Sequence, residues 1–360
     1  RSVNAELRLQ QALDAAALSG ARALEDASQT DADIIEIASE TLAANLLTGP
    51  RDVICGDADV LIGREAGTVK VAAACELVTT MGGIAGVEKV ALGGSATARA
   101  AITKLDIALM LDVSGSMAGS KLEDLKTSAK DAIDILISDK SGDRVRIGFN
   151  TYSTSVNPGA YASSIFDPHL KVVPKCVSER SGMAAWTDDA PGNNRWLGTQ
   201  ATQCPTSSIM PLTSDASALK TQIDSFVANG YTAGHIGVAW AWYLISPEWA
   251  SVWPSASKPH EYDEPNSIKA VIRMTDGEFN TEYAKSQGKS DKQARTLCDK
   301  MRDEDVLVYA IAFDAPGSAR KTLRECAGDK ARFFEADNGD ELNSAYRNIA
   351  SQLSNLTLTD

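Results

Sequence analysis

The sequence predicts an α/β fold in which a doubly wound, mostly parallel sheet follows a smaller α+β region. Beyond residue 104, near-continuous apolar segments alternate with amphipathic segments of helical period, as expected for parallel strands covered by helices on both faces. Crossovers between parallel strands are right-handed, so the helices divide between the two faces. Before residue 104, two helical segments lead into short strands interrupted by glycine. We therefore expect two domains, residues 1–103 and 104–360.

The C-terminal domain is predicted to alternate long strands with helices and to carry two insertions. The strands are expected at residues 105–112, 143–152, 267–276 and 305–313, and the helices at residues 121–137, 215–229, 233–245, 290–303, 317–327 and 339–353. Residues 153–206 and 247–266 lack a regular pattern and interrupt this alternation. Stretches of such length are functional loops or disordered ones, and the cysteines of the first favour order.

The N-terminal region is predicted to be a small α+β domain. Helices are expected at residues 1–28 and 33–47, and short strands between residues 52 and 98. The segment GGSATARA, residues 93–100, is expected to be the exit to the next domain, because such residues are typical of loops. Small residues on one face of the first helix suit close packing in an assembly, and an ordinary core helix is an equal alternative.

The composition excludes some classes of partner. A formal net charge of -13 with only three histidines gives no electrostatic footprint for nucleic acid, and anionic membrane surfaces should repel the chain. No window of eighteen apolar residues exists, so nothing in this sequence is predicted to span a bilayer. The chain opens at Arg1 within a helical pattern and without methionine, so we expect that something upstream has been removed.

The six cysteines favour an oxidising, extracytoplasmic compartment. No C-x-x-C motif and no Cys/His cluster of zinc spacing occurs, which leaves disulfides or buried thiols. Neighbours in sequence pair most simply, and six unpaired core residues are the alternative. The expected pairs are Cys55 with Cys75, Cys176 with Cys204, and Cys298 with Cys326.

Three loops at the same edge of the sheet carry oxygen-bearing side chains, two directly after predicted strands and one before a helix. The side chains are those of Asp112, Ser114, Ser116, Thr232 and Asp276. Loops at the carboxyl ends of the strands gather at the crevice where doubly wound sheets bind ligands. Hydroxyl and carboxylate oxygens suit a hard divalent cation. The alternative is that Asp112 caps a helix and the serines satisfy loop backbone, as such residues often do.

The order D-x-S-x-S, Gly-x-Thr and T-D-G resembles the metal-ion-dependent adhesion site of von Willebrand factor type A domains, over residues 104–356. The resemblance implies that Ser114, Ser116 and Thr232 coordinate the ion directly, and that Asp112 and Asp276 do so directly or through water. An Asp or Glu of a partner would complete the shell. Mg²⁺ is the expected ion, with Mn²⁺ and Ca²⁺ as alternatives.

Both ends of the chain are similar to TadE/TadG-type proteins of the tight-adherence pilus machinery. The similarity rests on RSVNAELRLQQALDAAALSGARAL at the start, on GVAWAWYLISP, and on TLCDKMRDEDVLVYAIAF with LRECAGDKARFFEA near the end. It implies a bacterial protein of the periplasm or cell surface, a pilin-like first helix that contacts other pilus components, and membrane anchoring through a segment absent from this sequence.

The expected function is therefore adhesion or assembly in a type IV-like pilus system, through a metal ion that binds an acidic group on a protein or surface ligand. The alternative is a minor pilin or scaffold in which the metal only stabilises the fold. An enzyme is not expected, since neither G-x-x-x-x-G-K-[ST] nor G-x-S-x-G is matched. His235 lacks a nucleophile or third partner in the sequence pattern and is expected to be structural.

Four tryptophans of the insertions are further candidates for partner binding. They are Trp186, Trp196, Trp249 and Trp253. Aromatic rings of this kind stack on sugars or on partner proteins, and a satellite core beneath the insertions is the alternative. The first insertion follows the second parallel strand, so it is expected to border the metal site and to shape what approaches it.

Overall fold

The structure, a computed structural model, describes residues 2–47, 53–64, 66–78, 88–100 and 102–356. The chain divides into two units. The first contains residues 1–102 with 139–142 and 358–360, and the second contains residues 103–138 and 143–357. Each unit has its own hydrophobic core.

Two helices and an antiparallel sheet form the first unit. Strand β3 is central and pairs with β1 and β2 along one edge and with β4 along the other. The elements are α1 (Ser2–Leu24), α2 (Asp31–Leu47), β1 (Val53–Cys55), β2 (Asp59–Gly63), β3 (Thr68–Val78) and β4 (Lys89–Arg99). Helix α1 buries leucine and alanine against the sheet, among them Leu9, Leu13 and Ala16.

The expectation of a linker at residues 93–100 is wrong, because strand β4 continues to Arg99. Leu92 and Ala96 point into the core at the spacing of one strand face. Gly94 lies so close to α1 that a Cβ there would be 3.0 Å from Leu13 Cδ1. The small residues of this segment therefore allow a helix to approach a strand, and they do not mark a loop.

A six-stranded sheet organises the second unit and confirms the predicted fold class. Its order is β10-β9-β8-β5-β6-β7, parallel except for β7, which pairs antiparallel with β6. The strands are β5 (Lys104–Asp112), β6 (Val145–Tyr152), β7 (Met210–Thr213), β8 (Ser267–Thr275), β9 (Leu307–Phe313) and β10 (Phe333–Ala336). The helices are α3 (Ser120–Leu136), α4 (Ala162–Ile165), α5 (Ala216–Asp224), α6 (Gly234–Ile245), α7 (Ser290–Asp303), α8 (Gly317–Ala327) and α9 (Gly339–Leu356).

Strand β5 lies in the middle of the sheet and is buried on both faces. Leu105, Ile107, Leu109 and Leu111 pack in one cluster with α3, α5 and α9. Ala108 and Met110 pack in a second cluster with α6 and α7. All twelve residues of α6 are buried, which explains why its sequence is apolar all round. The helices thus cover both faces, as the pattern of the sequence predicted.

A buried ionic cluster lies at the amino-terminal end of β5. The Asp106 carboxylate accepts hydrogen bonds from Arg146 Nη2 at 2.7 Å, from the His260 backbone N–H at 2.8 Å and from Lys269 Nζ at 3.4 Å. Burial raises the pKa of Asp106, but the hydrogen bond to the His260 side chain, whose Nδ1 lies 3.0 Å from Oδ2, and the charges of Arg146 and Lys269 outweigh it and set the pKa at about 2. The cluster ties the second insertion, through His260, to the three strands β5, β6 and β8.

The structure contains the three expected disulfides, Cys55–Cys75, Cys176–Cys204 and Cys298–Cys326. The first joins directly paired residues of β1 and β3, the second lies within the first insertion, and the third joins α7 to α8. No helix in the described parts of the chain is both long and apolar enough to cross a membrane.

Removing the disulfide between α7 and α8 is expected to lower the free energy of unfolding by about 3 kcal/mol, because it closes a loop in the unfolded chain. Its cysteines are 28 residues apart in sequence. The test compares urea unfolding of the parent and of the double variant Cys298→Ala with Cys326→Ala. An unchanged midpoint and slope would show that the two helices are held by packing alone.

Candidate metal centre

The carboxyl ends of β5, β6 and β8 meet at one edge of the sheet, because the three strands are parallel neighbours. Strand β5 ends at Asp112, β6 at Tyr152 and β8 at Thr275. After Asp112 the chain makes a short 3₁₀ turn, Gly115–Met117, and then begins α3. Gly119, at the start of that helix, has a φ of 83°, a conformation that favours glycine.

Asp112 is fully buried and held by three donors. Its Oδ1 accepts the backbone N–H of Ser114 at 2.8 Å. Its Oδ2 accepts the hydroxyls of Thr275 at 2.6 Å and of Tyr152 at 3.0 Å. The carboxylate therefore has a fixed orientation at the base of the site.

Ser114, Ser116 and Asp276 form a chain of contacts above it. The Ser116 hydroxyl donates to Asp276 Oδ1 at 2.6 Å, and the hydroxyl oxygens of Ser114 and Ser116 are 3.2 Å apart. Ser114 and Asp276 are buried, whereas Ser116 is exposed. Four of the five candidate ligands are thus linked in series, Asp112 through the backbone N–H of Ser114 and the others through their side chains. The group opens to solvent at Ser116.

Thr232 lies on the loop before α6, which is joined to the first loop by backbone hydrogen bonds. The Gly115 N–H donates to the Gly230 carbonyl at 2.9 Å, and the Asn229 N–H donates to the Val113 carbonyl at 2.8 Å. A Cβ at Gly115 would lie 3.2 Å from the Gly230 oxygen. Thr232 itself is 4% exposed. In the described part of the chain, its hydroxyl makes no hydrogen bond to the other four candidates.

Gly230 permits this loop to approach the beginning of the first insertion. Its φ is 88°, and a Cβ there would be 2.4 Å from Thr154 Oγ1. The same hydroxyl accepts the Tyr231 N–H at 2.9 Å. Residues at the start of the first insertion therefore support the loop that carries Thr232.

The electrostatics of the site favour a cation. Burial is the main cause that raises the pKa of Asp112 to about 6, the hydrogen bond from Thr275 opposes it, and the charge of Asp276 raises the pKa further. Two carboxylates close together are costly when both are ionised. A divalent ion would remove that cost.

The donor set suits Mg²⁺, Mn²⁺ or Ca²⁺, because it consists of hydroxyl and carboxylate oxygens. Nitrogen and sulfur ligands would be needed for a typical zinc site. Among the described residues, no three His, Cys, Asp or Glu side chains are grouped so as to hold a metal. The candidate centre therefore depends on its serine and threonine hydroxyls together with Asp112 and Asp276.

Four residues at this edge, Thr275, Tyr152, Lys121 and Asp314, were not among the candidate ligands. Thr275 and Tyr152 hold Asp112, as described above. Lys121, in the first turn of α3, places its Nζ 3.0 Å from Asp276 Oδ2 and 2.9 Å from Asp314 Oδ2. The position of Thr275 directly before Asp276 was a usable signal. Nothing in the sequence connects Tyr152 or Asp314 with the site.

The first insertion also contacts loops at the same edge of the sheet. Glu179 Oε1 accepts the backbone N–H groups of Tyr283 at 2.7 Å and Ala284 at 2.6 Å, in the loop that follows β8. His235 Nε2 lies 3.3 Å from the same oxygen, and His235 Nδ1 lies 2.7 Å from Ser290 Oγ. His235 and Ser290 are buried, so this group joins the insertion to α6 and α7.

The tryptophans divide into two pairs. Trp249 and Trp253 are 0% and 4% exposed, and Trp249 stacks on Tyr243 with ring centroids 4.2 Å apart. Arg180 of the first insertion covers the Trp249 ring at 5.2 Å. The prediction that these two tryptophans bind a partner is therefore wrong, because their rings are buried in the second hydrophobic cluster, together with Met110 and α6. Trp186 and Trp196 are half-buried, and for them partner binding stays a prediction.

Comparisons with known proteins find likeness only among solved structures. No family model matches the chain, and no curated protein does. The von Willebrand factor domain of the type V pili tip protein Mfa5 from Porphyromonas gingivalis is similar with a TM-score of 0.46 and 12% identity, over 70% of this chain and 96% of that one. The pilus adhesin SpaC from Lactobacillus rhamnosus GG is similar with a TM-score of 0.42 and 13% identity, over 84% of this chain and 34% of that one.

A third similar structure is proximal thread matrix protein 1 from the mussel byssus. Its TM-score is 0.41 and its identity 16%, over 69% of this chain and 47% of that one. The same protein has also been solved with zinc in its metal-ion-dependent adhesion site. The chain thus spans about half the length of this protein and a third of the length of SpaC.

Proposed function

We propose that this chain is a non-enzymatic, extracytoplasmic adhesion or assembly protein that binds an acidic group of a partner through a divalent cation. The observation that carries the proposal is the series of hydrogen bonds that links Asp112, Ser114, Ser116 and Asp276, in that order, at the carboxyl edge of the sheet. Thr232 on the adjoining loop supplies the fifth oxygen. Two carboxylates match the charge of a dication, and Ser116 leaves one side of the site open.

A bound Mg²⁺ would supply a hard positive centre for an oxygen of an incoming carboxylate. Residues of the chain hold the candidate ligands in place for such binding. Tyr152 and Thr275 fix the orientation of Asp112, and the backbone bonds between Gly115 and Gly230 fix the spacing of two loops. A cavity of about 240 Å³, lined by Thr275, Gly277 and Phe279 among others, adjoins the loop of Asp276 and leaves room for neighbouring groups of a partner.

The location and the pilus system are supported by other features. Three disulfides are typical of proteins outside the reducing cytosol. The resemblance of both ends of the sequence to tight-adherence proteins supports a role in a bacterial pilus, where the first helix would contact other components. These features support the periplasm or the cell surface as its location.

The test uses beads coated with protein from which metal has been removed by a chelator. The beads are placed on two gels, one carrying glutamate side chains and one carrying glutamine side chains. Beads of the parent should adhere to the glutamate gel in Mg²⁺ and detach in a chelator, because the ion binds a charged carboxylate more strongly than a neutral amide. The variant Ser116→Ala should adhere several-fold less, since it loses an oxygen ligand at the open side. Adhesion that is equal on both gels, or insensitive to the chelator, would contradict the proposal.

A purely structural role of the metal predicts a different result. Mg²⁺ would then raise the thermal stability of the parent, since a ligand of the native state stabilises it, and no metal-dependent adhesion to either gel would follow. The two measurements on the same sample therefore separate an adhesion protein from a scaffold.

A further inference from the structure

Lys121 places a fixed positive charge beside the candidate metal centre. Its Nζ lies between two carboxylates, 3.0 Å from Asp276 Oδ2 and 2.9 Å from Asp314 Oδ2. Its side chain is 28% exposed and passes over the Phe313 ring, with the Nζ 5.9 Å from the ring centroid. The lysine therefore contacts one expected metal ligand directly and is anchored by a carboxylate that is not a ligand.

Both ends of this bridge are charged at neutral pH. A lysine ammonium is protonated at pH 7, and the contact of Lys121 Nζ with Asp314 favours that charged form. The hydrogen bond from Lys121 and its charge hold the pKa of Asp314 below its usual value.

Asp314 is well placed to be an anchor. It follows β9 directly, its backbone N–H donates to the Ala336 carbonyl at 2.7 Å, and its φ is 45°. The carboxylate is thus attached to a backbone that the neighbouring strand holds in place. Because Asp314 retains the ammonium on one side, Lys121 stays beside Asp276 without depending on that contact alone.

We propose that Lys121 is a built-in cation that weakens the site's hold on its divalent ion and thereby keeps the ion attractive to an outside carboxylate. The inference rests on the proposed function and names the residue that regulates it. Asp112 and Asp276 alone would neutralise a dication. The charge of Lys121, which Asp314 only partly screens, repels the dication. The same charge attracts the carboxylate of a partner.

The affinity of the site for the divalent ion and the affinity of the bound ion for an outside carboxylate are therefore expected to change in opposite directions when the charge of Lys121 is altered. Lys121→Met keeps the apolar stem over Phe313 and removes the charge, so the ion should bind about tenfold more tightly and a carboxylate several-fold more weakly. Asp314→Asn leaves the charge of Lys121 without its anchor, so both effects should reverse. Asparagine tolerates the positive φ at this position. The double variant should lie near the parent.

The probes are Mn²⁺ and acetate, followed through the relaxation rate of water protons. Bound Mn²⁺ raises that rate, and acetate lowers it when it displaces a water from the ion. Lys130→Met is the matched control. Lys130 lies on the same helix, its side chain is 31% exposed, and it pairs with Asp224 at 2.6 Å. Its replacement should change neither affinity. Circular dichroism of every variant checks that the fold is retained.

The outcomes are distinct. Weaker Mn²⁺ binding by Lys121→Met would overturn the inference and show that Lys121 orients Asp276 for the metal. Unchanged affinities for both probes would overturn it as well. In either case, Mn²⁺ binding by the parent that Asp112→Asn abolishes would leave the proposed function standing. If the parent binds no Mn²⁺, the inference and the proposed metal site fail together.

Discussion

Replacing Asp112 by asparagine is expected to abolish stabilisation by Mg²⁺ and, at the same time, to make the metal-free protein more stable at neutral pH. The pKa of Asp112 is raised from 3.8 to about 6, so the folded state holds its charged form at a cost. A shift of this size corresponds to about 3 kcal/mol. Asparagine keeps the shape and an acceptor oxygen but carries no charge. The metal, in turn, loses one of its two carboxylates.

The pH dependence has a definite sign. The folded pKa lies above the unfolded one, so between about pH 4 and pH 6 the folded state binds more protons. The stability of the metal-free parent should therefore fall as the pH rises through this window and remain lower above it. The stability of metal-free Asp112→Asn should not show this decrease between pH 4 and pH 6. Urea unfolding in a chelator at pH 4 and pH 7.5 measures both proteins.

Asp134→Asn serves as the control, because Asp134 lies on α3 with a side chain 57% exposed. Mg²⁺ should stabilise Asp134→Asn as much as it stabilises the parent. Asp112→Ala should also lose the stabilisation by Mg²⁺. It removes the acceptor of the Ser114 N–H and one of the acceptors of Tyr152 and Thr275, so it should be less stable than Asp112→Asn. A Mg²⁺ shift that persists in Asp112→Asn would remove Asp112 from the ligand set.

Asp106→Asn is expected to lower the free energy of unfolding by roughly 3 to 5 kcal/mol, because removing one partner leaves buried charges uncompensated. Arg146 and Lys269 are 13% and 5% exposed in their side chains, so water replaces little of the lost interaction. The measurement is urea unfolding at pH 7. If the free energy of unfolding fell by less than 1 kcal/mol, the ionic cluster would not be what holds the second insertion to the strands.

The acid dependence supplies an independent check on the same residue. The folded pKa of Asp106 is about 2, below its ordinary value of 3.8, so the unfolded state binds more protons between these two pH values. Its contribution of about 2 kcal/mol is present above pH 4 and is lost as the pH falls through 2. The difference in the free energy of unfolding between the parent and Asp106→Asn should therefore decrease as the pH falls from 4 to 2. Glu264→Gln is the control, since its pair with Lys104 is partly exposed and should cost 1 kcal/mol or less.

The long buried elements of the second unit were predictable because their patterns are long and unambiguous. Helices α7 and α8 begin and end at the predicted residues, since an apolar stripe of helical period runs through each. Strands β7 and β10 were missed. Each has four residues, which is too short for a period to show, and β7 contains Pro211, tolerated because β7 is an edge strand.

The loops of the candidate centre were predictable for a different reason. A carboxylate and hydroxyls directly after a buried strand need partners, and parallel strand order brings such loops to one edge. What could not be predicted is which neighbours satisfy them. Tyr152 reaches Asp112 from the adjacent strand, and Lys121 reaches Asp276 from the next helix. These contacts depend on side-chain directions that spacing along the chain does not encode.

The close approach of Gly115 and Gly230 limits which sequences can build such a centre. A side chain at Gly115 would crowd the carbonyl it bonds, and one at Gly230 would overlap Thr154 in a backbone conformation unfavourable to it. Both positions lie outside the five oxygen ligands. At Gly230 the overlap and the positive φ together favour glycine, whereas a Cβ at Gly115 would require the two loops to separate slightly. The distance between the loops that carry Ser114 and Thr232 therefore depends on two residues that have no side chain.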